Sequence, residues 1–253
     1  MIVGDFLKDN ILLLGGSGTL GSAIIRSGLF YNLKYPSSSK LNILDQNKIE
    51  KFIIKNKIKI ILHFAGMARV KECEKNKIDA YEVNIIGTSN VTNAILNVNK
   101  KLKKKIKLVF MSSDAVYASI KGNYKETDKT SPYNYYGFTK TISEEIVKLL
   151  DNFIIIRSRF FDKKKIKFNY SAKNIYTSAL EVDDLVLYIY KIINKNFLGI
   201  INVGGPKISD FLKYKKYKKN IKPCDKKKIF DELNFKIASD ASLNLRKFKS
   251  LIK

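Results

Sequence analysis

The chain has 253 residues, of which 45% are hydrophobic and 28% are charged, and its formal net charge is +25. This length suits one domain, or one domain with a small second lobe. Two distant cysteines, Cys73 and Cys224, form no C-x-x-C, which indicates neither a disulfide framework nor a zinc site. We find no signal peptide, no apolar run as long as a membrane span and no metal ligand set, so we expect a cytoplasmic protein.

The positive charge is densest in the C-terminal third, where residues 161–253 carry 22 Lys/Arg and 9 Asp/Glu. Such charge indicates either an anionic partner such as nucleic acid or a general over-use of lysine. The basic clusters at 100–107 and 163–165 lack the interleaved aromatic residues of a stacking surface, whereas YKKYKK at 214–219 has them. Nucleic acid is the weaker of the two interpretations.

The most informative stretch is NILLLGGSGTLGSAII, residues 10–25. Its apolar run, 11–14, predicts a buried strand, and the spacing after the glycines predicts a helix over 18–30. The glycines fit G-x-G-x-x-G and equally fit G-x-x-G-x-x-G. Such a loop lets a pyrophosphate approach bare backbone at a helix N-terminus, so it predicts dinucleotide binding. The alternative is a merely structural turn.

Strands and helices alternate along the rest of the chain. The apolar patterns predict strands that end near 35 and that span 58–64, 106–111, 153–156 and 199–203. They predict helices over 46–57, 77–97, 135–150, 182–193, 208–217 and 226–233. This alternation indicates an α/β fold with a Rossmann-type doubly wound parallel sheet, whose ligand lies beyond the carboxyl ends of the strands. We expect a dinucleotide-binding domain over 1–160 and a small C-terminal lobe over 161–253, of which about 174–206 returns to the sheet.

The turn after the second strand bears on which dinucleotide binds. An NAD site has an acidic residue about 20 residues beyond the glycines, where it binds the ribose hydroxyls. Here that position falls in PSSSK, 36–40, which has no acid. Serine hydroxyls and a lysine can accept a 2′-phosphate, so the sequence favours NADP over NAD, with an ordinary polar turn as the alternative. The residues concerned are Ser37, Ser38, Ser39 and Lys40.

Tyr136 and Lys140 are four residues apart on a predicted helix, so both lie on one face. A tyrosine is a poor acid or base at neutral pH because its pKa is about 10. We expect the neighbouring ammonium to lower that pKa. Ser113, at a strand end, is placed to hold a substrate oxygen. The set suits proton transfer to a carbonyl oxygen while a nicotinamide delivers hydride to the carbon; the alternative is a surface Tyr and Lys on an amphipathic helix.

In this order the motifs resemble the extended short-chain dehydrogenase/reductases, and within them the dTDP-4-dehydrorhamnose reductase (RmlD-like) sugar-nucleotide family. The resemblance covers nearly the whole chain. It rests on GGSGTLG (15–21), LNILD (41–45), HFAG (63–66), VNIIGTSNV (83–91), MSSDAVY (111–117), SPYNYYGFTK (131–140), IIRSRFF (155–161), TSALEVDDL (177–185), GIINVGGP (199–206) and SDASLNLRKF (239–248).

The resemblance implies a role for each matching residue. Tyr136 would be the general acid, Lys140 would bind the nicotinamide ribose, and Ser113 stands where the family has its Ser/Thr. The other residues implied in cofactor binding are Gly15, Ser17, Gly18, Thr19, Leu20, Gly21, Asn42, Ile43, Phe64, Ala65 and Gly66. Those implied on the substrate side, besides Ser113, are Asp114, Ala115, Val116, Tyr117, Arg159 and Phe160.

The sequence departs from the family in two places. Arg159 and Phe160 fall where the family commonly has Ser-Trp, and the segment 161–175 is shorter than its counterpart. The second departure implies a shortened substrate lobe.

The function that the resemblance implies is an NADP-dependent reductase of a nucleotide-linked keto-sugar, with NADPH as the cofactor and NAD as the alternative. Its pathway would be deoxysugar or cell-surface polysaccharide biosynthesis, such as that of dTDP-rhamnose. A non-catalytic NADP-binding regulatory subunit and a sugar-nucleotide epimerase or dehydratase stay open as alternatives. The resemblance also implies a homodimer through the helices at 77–97 and 135–150.

Overall fold

A computed structural model describes residues 9–233 and 238–253. The expectation about a signal peptide concerns the N-terminal residues, of which 1–8 lie outside the described ranges. The strands are β1 (Ile11–Leu14), β2 (Leu33–Lys34), β3 (Ile60–His63), β4 (Lys107–Met111), β5 (Phe153–Arg157), β6 (Phe160–Phe161), β7 (Tyr170–Ala172), β8 (Tyr176–Thr177), β9 (Leu180–Glu181), β10 (Gly199–Asn202), β11 (Ile208–Ser209) and β12 (Lys222–Cys224). The helices are α1 (Thr19–Ser27), α2 (Gln46–Lys55), α3 (Val70–Lys75), α4 (Lys77–Tyr81), α5 (Gly87–Leu102), α6 (Tyr135–Val147), α7 (Val182–Asn194), α8 (Asp210–Lys215), α9 (Lys226–Leu233) and α10 (Arg246–Ile252). Within the described ranges, no helix combines the length and the hydropathy needed to span a bilayer.

Six strands form one parallel sheet in the order β10-β5-β4-β3-β1-β2. The predicted Rossmann-type parallel sheet is therefore confirmed. β1 and β3 are buried along their whole length, as a sheet covered on both faces requires. β10, from the segment expected to return to the sheet, pairs with β5, with Ile200 opposite Ile155. The division of the chain at residue 160 into two domains stays a prediction.

Helices cover both faces of the sheet, and successive residues of β1 point to opposite faces. Leu13 packs into a core with Ile24 of α1 and Ile189 of α7. Leu12 packs into the second core, which contains Ile49 of α2 together with residues of α5 and α6. The period of two along the strand therefore supplies both cores.

The predicted helices and strands form close to the expected positions, with two differences. The helix predicted over 77–97 is α4, a π-helical turn at Glu82–Ile86 and α5, which continues to Leu102. The helix predicted from Ile208 begins only at Asp210, because Ile208 and Ser209 pair with β8 and the Ser209 side chain caps the helix. The two-stranded pairs β11–β8, β12–β7 and β6–β9 were not expected, since runs of two or three residues carry no periodic signal.

A buried ion pair joins α6 to the end of β5. Arg157 Nη2 lies 2.6 Å from Glu144 Oε2, and the two side chains are 3% and 1% exposed. Arg157 Nε also donates to Glu144 Oε1 at 2.9 Å, and Arg157 Nη1 donates to the Tyr117 hydroxyl at 2.8 Å. Ser112, which follows β4, donates its hydroxyl to Glu144 Oε1. These bonds fix α6 against the carboxyl ends of β4 and β5.

We predict that Glu144→Ala lowers the free energy of unfolding by about 3–5 kcal/mol, because it leaves the Arg157 guanidinium buried without a counter-charge. The neighbouring Glu145 provides the matched control, since it pairs with Lys148 at the surface. Glu145→Ala is expected to cost less than about 1 kcal/mol. Urea denaturation followed by circular dichroism measures both values, and equal losses in the two variants would contradict the prediction.

Candidate active site

A cavity of about 470 Å³ opens at the carboxyl edge of the parallel sheet. Its wall combines the glycine loop, the ends of β3 and β4, helix α6 and the residues after β5. The glycine loop, the strand-end serine and the Tyr-Lys pair therefore surround one space. The residues with an implied role that line it are Gly18, Thr19, Leu20, Gly21, Phe64, Ala65, Gly66, Ser113, Asp114, Ala115, Tyr136, Lys140, Arg159 and Phe160.

The glycine loop follows β1 and passes close to the backbone of the residues after β3. Gly15 has a φ of +94°, and a Cβ at this position would lie 2.5 Å from the Ala65 nitrogen. A Cβ on Gly21 would lie 2.1 Å from the Gly15 carbonyl oxygen, so helix α1 can approach only without side chains here. Among the described residues, no side chain caps α1 at Gly18, which leaves its first backbone N–H groups available to an anion. This cradle fits the pyrophosphate of a dinucleotide.

The serine turn expected to bind a 2′-phosphate lies beside the glycine loop and not in the cavity wall. It follows β2, which pairs with β1, so it belongs to the same edge of the sheet. The amides of Lys40 and Leu41 donate to the Ser37 carbonyl, and Ser37 Oγ lies 2.8 Å from Ser39 Oγ. Ser38 and Lys40 are exposed, as is Ser17 of the loop. These hydroxyls and the ammonium are therefore exposed to solvent at the same edge of the sheet as the loop.

Besides Gly15 and Ser17 of the loop, four other implied residues do not line the cavity. Ile43 is buried in the core on the α5 side of the sheet, and the Asn42 carboxamide accepts the amide of Leu44. Val116 and Tyr117 are fully buried, and the Tyr117 ring lies on core residues with its hydroxyl 3.0 Å from an Asn202 oxygen. The expectation that Val116 and Tyr117 face a substrate is wrong, because they follow Asp114 into the core.

The acid–base pair has pKa values that differ from the expectation. Burial raises the pKa of Tyr136 to about 12, and a hydrogen bond with the Ser113 hydroxyl only partly offsets this rise. Burial also lowers the pKa of Lys140 to about 7, although the Glu144 carboxylate opposes this. The Lys140 ammonium lies over the Phe110 ring, 4.0 Å from its centroid. The expectation that Lys140 lowers the Tyr136 pKa is therefore wrong for the chain by itself, and Tyr136 is a protonated phenol at neutral pH.

An ion pair lies beside this acid. Arg159 Nε is 2.8 Å from Asp114 Oδ2, and the Arg159 side chain is 31% exposed while Asp114 is buried. Ser113 Oγ donates to Asp114 Oδ1 at 3.2 Å and accepts the Ala115 amide at 3.1 Å. A continuous line of polar contacts thus runs from the Tyr136 hydroxyl through Ser113 and Asp114 to Arg159.

Asn84, in the π-helical turn, supports the cavity from behind and was not singled out by sequence. Its carboxamide accepts the Met67 amide at 2.8 Å and donates to the Met67 carbonyl and to Thr139 Oγ1. It therefore ties the loop after β3 to helix α6. Its backbone carbonyl accepts from Ser143 Oγ, which adds a second bond to the same helix. π-helical turns often occur at functional sites, but the sequence carries no pattern that reveals one.

The C-terminal lobe also contributes to the cavity wall. Ile175, Asp210 and Ala238 line it, so the short lobe still covers one side of the space. Tyr133 lines it too, within the motif SPYNYYGFTK, and that motif was the signal that could have identified this residue. Within residues 9–233 and 238–253, no group of His, Cys, Asp or Glu is arranged to hold a metal ion.

The model of one known family matches much of the chain. The RmlD substrate binding domain matches residues 9–182. The chain belongs to this family. Two solved structures share the RmlD-family fold along nearly the whole chain. A dTDP-4-dehydrorhamnose reductase from Bacillus anthracis, in complex with NADP, is 22% identical with a TM-score of 0.84 over 96% of this chain and 93% of that one. A hypothetical dTDP-4-dehydrorhamnose reductase from Sulfolobus tokodaii is 29% identical with a TM-score of 0.80 over 95% and 94%.

The curated proteins that are similar to this chain in sequence include enzymes with a different activity. The UDP-glucose 4-epimerase of Mycoplasma genitalium is 31% identical over 128 residues, which are 48% of this chain and 36% of that protein. This RmlD-family chain spans only 36% to 53% of the length of three such epimerases.

We predict that Lys140→Met stabilises the chain most at low pH. The pKa of Lys140 is about 7 in the folded chain and has its ordinary value of 10.5 in the unfolded chain, so between these two pH values the unfolded chain binds the additional proton. The wild-type free energy of unfolding therefore rises with pH above pH 7. Below pH 7, the full cost of burying the Lys140 ammonium remains. The variant's advantage in unfolding free energy should shrink by roughly 1.4 kcal/mol for each pH unit between 7 and 9.

Urea denaturation at pH 6, 7, 8 and 9 measures this advantage. Lys148→Met, on the exposed side of the end of α6, is the control and should show no such trend. A constant difference between Lys140→Met and the wild type over this range would contradict the lowered pKa of Lys140.

Proposed function

We propose that this chain is an NADPH-dependent reductase of a nucleotide-linked keto-sugar. The observation that carries the proposal is the placement of the glycine loop, Ser113, Tyr136 and Lys140 around one cavity. Membership of the RmlD family and the likeness in fold to dTDP-4-dehydrorhamnose reductases support it. By the same support, the pathway we propose is deoxysugar biosynthesis for cell-surface polysaccharides, such as that of dTDP-rhamnose.

The bare glycine loop and the start of α1 would hold the pyrophosphate, and Phe64, Ala65 and Gly66 would line the groove for the rest of the dinucleotide. The serine turn at 37–40 supports NADP, because hydroxyls and an ammonium stand beside the loop where an NAD site has an acid. The Bacillus anthracis reductase binds NADP, which agrees with this choice. When bound, the cofactor supplies hydride to the substrate carbonyl carbon.

Tyr136 is the proton donor in this proposal. Its raised pKa keeps the phenol protonated at neutral pH, and its hydroxyl already contacts Ser113. The two hydroxyls can bind one carbonyl oxygen, which gains the Tyr136 proton as the carbonyl carbon gains hydride. Lys140, one turn further along α6, would bind ribose hydroxyls and compensate the phenolate that the reaction leaves.

Asp114 and Arg159 are the substrate-side groups that we propose for this chain. They present a carboxylate and a partly exposed guanidinium to the cavity, next to Ser113. A carboxylate and a guanidinium can form hydrogen bonds with the hydroxyl groups of a sugar, whereas an apolar ring cannot. Phe160, which also lines the cavity, supplies an adjacent apolar surface.

A sugar-nucleotide epimerase is the second candidate, and the similarity to UDP-glucose 4-epimerases favours it. The cofactor balance separates the two activities, because an epimerase returns its cofactor to the starting state and a reductase consumes NADPH. A non-catalytic regulatory subunit would hold NADPH without either reaction. Product analysis together with NADPH absorbance therefore distinguishes all three.

We also propose a homodimer through the helices at 77–97 and 135–150. Their outer faces expose large apolar side chains, namely Ile78, Tyr81 and Phe138, and the Tyr135 ring stacks on Phe138. An exposed apolar patch of this kind supports a subunit contact. A reducing cytoplasm, which we propose as the location, suits the free thiols of Cys73 and Cys224.

We predict that Tyr136→Phe abolishes the reductase activity while NADPH still binds. The variant removes the donated proton and leaves the ring, so kcat should fall by at least about 100-fold. The assay follows NADPH absorbance, with NADH in parallel, over a panel of nucleotide-linked 4-keto-sugars. The adjacent Tyr135, which does not line the cavity, gives the control Tyr135→Phe with wild-type turnover. Unchanged turnover in Tyr136→Phe would exclude the proposed proton donor.

We predict that Arg159→Ala raises the KM for the keto-sugar about tenfold or more and leaves NADPH affinity unchanged, because a charged hydrogen bond contributes about 1.5–3 kcal/mol. Arg69→Ala, at an exposed ion pair with Glu72, is the control. Steady-state kinetics and fluorescence titration with NADPH measure the two quantities. A loss of NADPH affinity with an unchanged sugar KM would place Arg159 on the cofactor side instead.

A further inference from the structure

Two segments of the C-terminal lobe form a strongly positive surface that the proposed reaction does not use. They are residues 163–170 and 212–222, which we call the basic aromatic surface. These segments contain ten lysines and no aspartate or glutamate. Of these lysines only Lys213 is buried, and it pairs with Asp210 in the cavity wall. The charge is thus concentrated at one place of the lobe, beyond the general lysine content of the chain.

The fold brings the two segments side by side. The Lys218 ammonium donates to the Phe168 carbonyl at 2.8 Å and to Asn169 Oδ1 at 3.0 Å. β7 pairs with β12, which places Tyr170 opposite Lys222. The rings of Phe168 and Tyr214 meet edge-on with centroids 4.7 Å apart. Lysines and aromatic rings from both segments therefore share a single continuous face.

This face also exposes large apolar side chains. Leu212 is 55% exposed, Tyr217 47%, and Phe168 and Tyr170 are each 42% exposed. Lysines around protruding Leu, Phe and Tyr side chains are the composition by which peripheral proteins bind a lipid interface: the ammonium groups attract anionic headgroups and the rings enter the headgroup region.

We propose that the basic aromatic surface docks on an anionic lipid bilayer. The alternative polyanion, single-stranded nucleic acid, is bound by open ring faces together with arginine stacking. The lobe from 161 to 230 contains no arginine, and the rings of Phe161, Phe168 and Tyr214 are engaged with one another edge to face. Exposed Leu212 and Phe168 suit acyl chains, and a leucine side chain offers no surface on which a base stacks.

Docking places the cavity next to the membrane. Asp210 lines the cavity and accepts a hydrogen bond at 2.6 Å from Lys213 of the same helix. Helix α8 thus has one side toward the cavity and the other on the basic aromatic surface. The inference does not depend on the proposed reductase activity, because binding to lipid is measured without turnover.

The test is co-sedimentation of the full chain with vesicles. Vesicles of phosphatidylcholine alone are compared with vesicles that contain about one third phosphatidylglycerol. We expect binding to the anionic vesicles only, reduced by added salt. The triple variant Lys164→Glu, Lys216→Glu, Lys219→Glu should bind at least about tenfold more weakly. Phe168→Ser tests ring insertion separately and should weaken binding without a change of charge.

The matched control reverses the same number of charges elsewhere. Lys101→Glu, Lys104→Glu, Lys105→Glu reverses charges at the end of α5 and in the turn before β4, outside both segments of the basic aromatic surface, and should keep wild-type binding. Circular dichroism melting confirms that each variant is folded. An equal loss in both triple variants would overturn the proposal, as would equal binding to the two vesicle types. Tighter binding to a single-stranded RNA oligonucleotide than to anionic vesicles at the same salt would overturn it in favour of nucleic acid.

Discussion

The buried ion pair between Glu144 and Arg157 determines where the candidate site lies. It connects α6 to β5, and its partners extend to Ser112 after β4 and to Tyr117. Both charges are fully desolvated, so a shift of α6 by one position would leave a buried charge unpaired. Tyr136, Lys140 and Glu144 follow one another at intervals of four on the same helix face. The ion pair that fixes Glu144 therefore also sets the depth of the acid and the lysine in the cavity.

The exclusion of water by this packing controls the protonation states of the groups in the site. The same burial raises the pKa of Tyr136 and lowers the pKa of Lys140, so both groups favour their neutral forms. A phenol that holds its proton at neutral pH suits an acid, and an amine with a pKa of about 7 responds readily to nearby charge. Asn84 contributes to this enclosure because it joins the loop after β3 to α6.

The lobe beyond β5 has two sides with different properties. Its inner side supplies Ile175, Asp210 and Ala238 to the cavity, so a short lobe is sufficient to cover that wall. Its outer side carries the lysines and aromatic rings of the basic aromatic surface. Between the two sides, Arg159 pairs with Asp114. Arg159 stands at a position where the family that the sequence resembles commonly has serine. The departures from the family pattern are thus concentrated where the chain would meet its substrate and its surroundings.

The sequence by itself determined the parallel sheet, the glycine loop and the Ser113, Tyr136 and Lys140 set, because apolar periodicity, bare glycines and residue spacing are local properties of the chain. Only the tertiary structure decided that Val116 and Tyr117 turn into the core, that Asn84 bridges two elements, and that Tyr136 has a raised pKa. These properties depend on burial and on partners far away in the chain: Glu144 meets Arg157, and Tyr117 meets Asn202, only after the strands have paired. A spacing rule can place a lysine beside a tyrosine, but desolvation by the folded core sets the charge that each one carries.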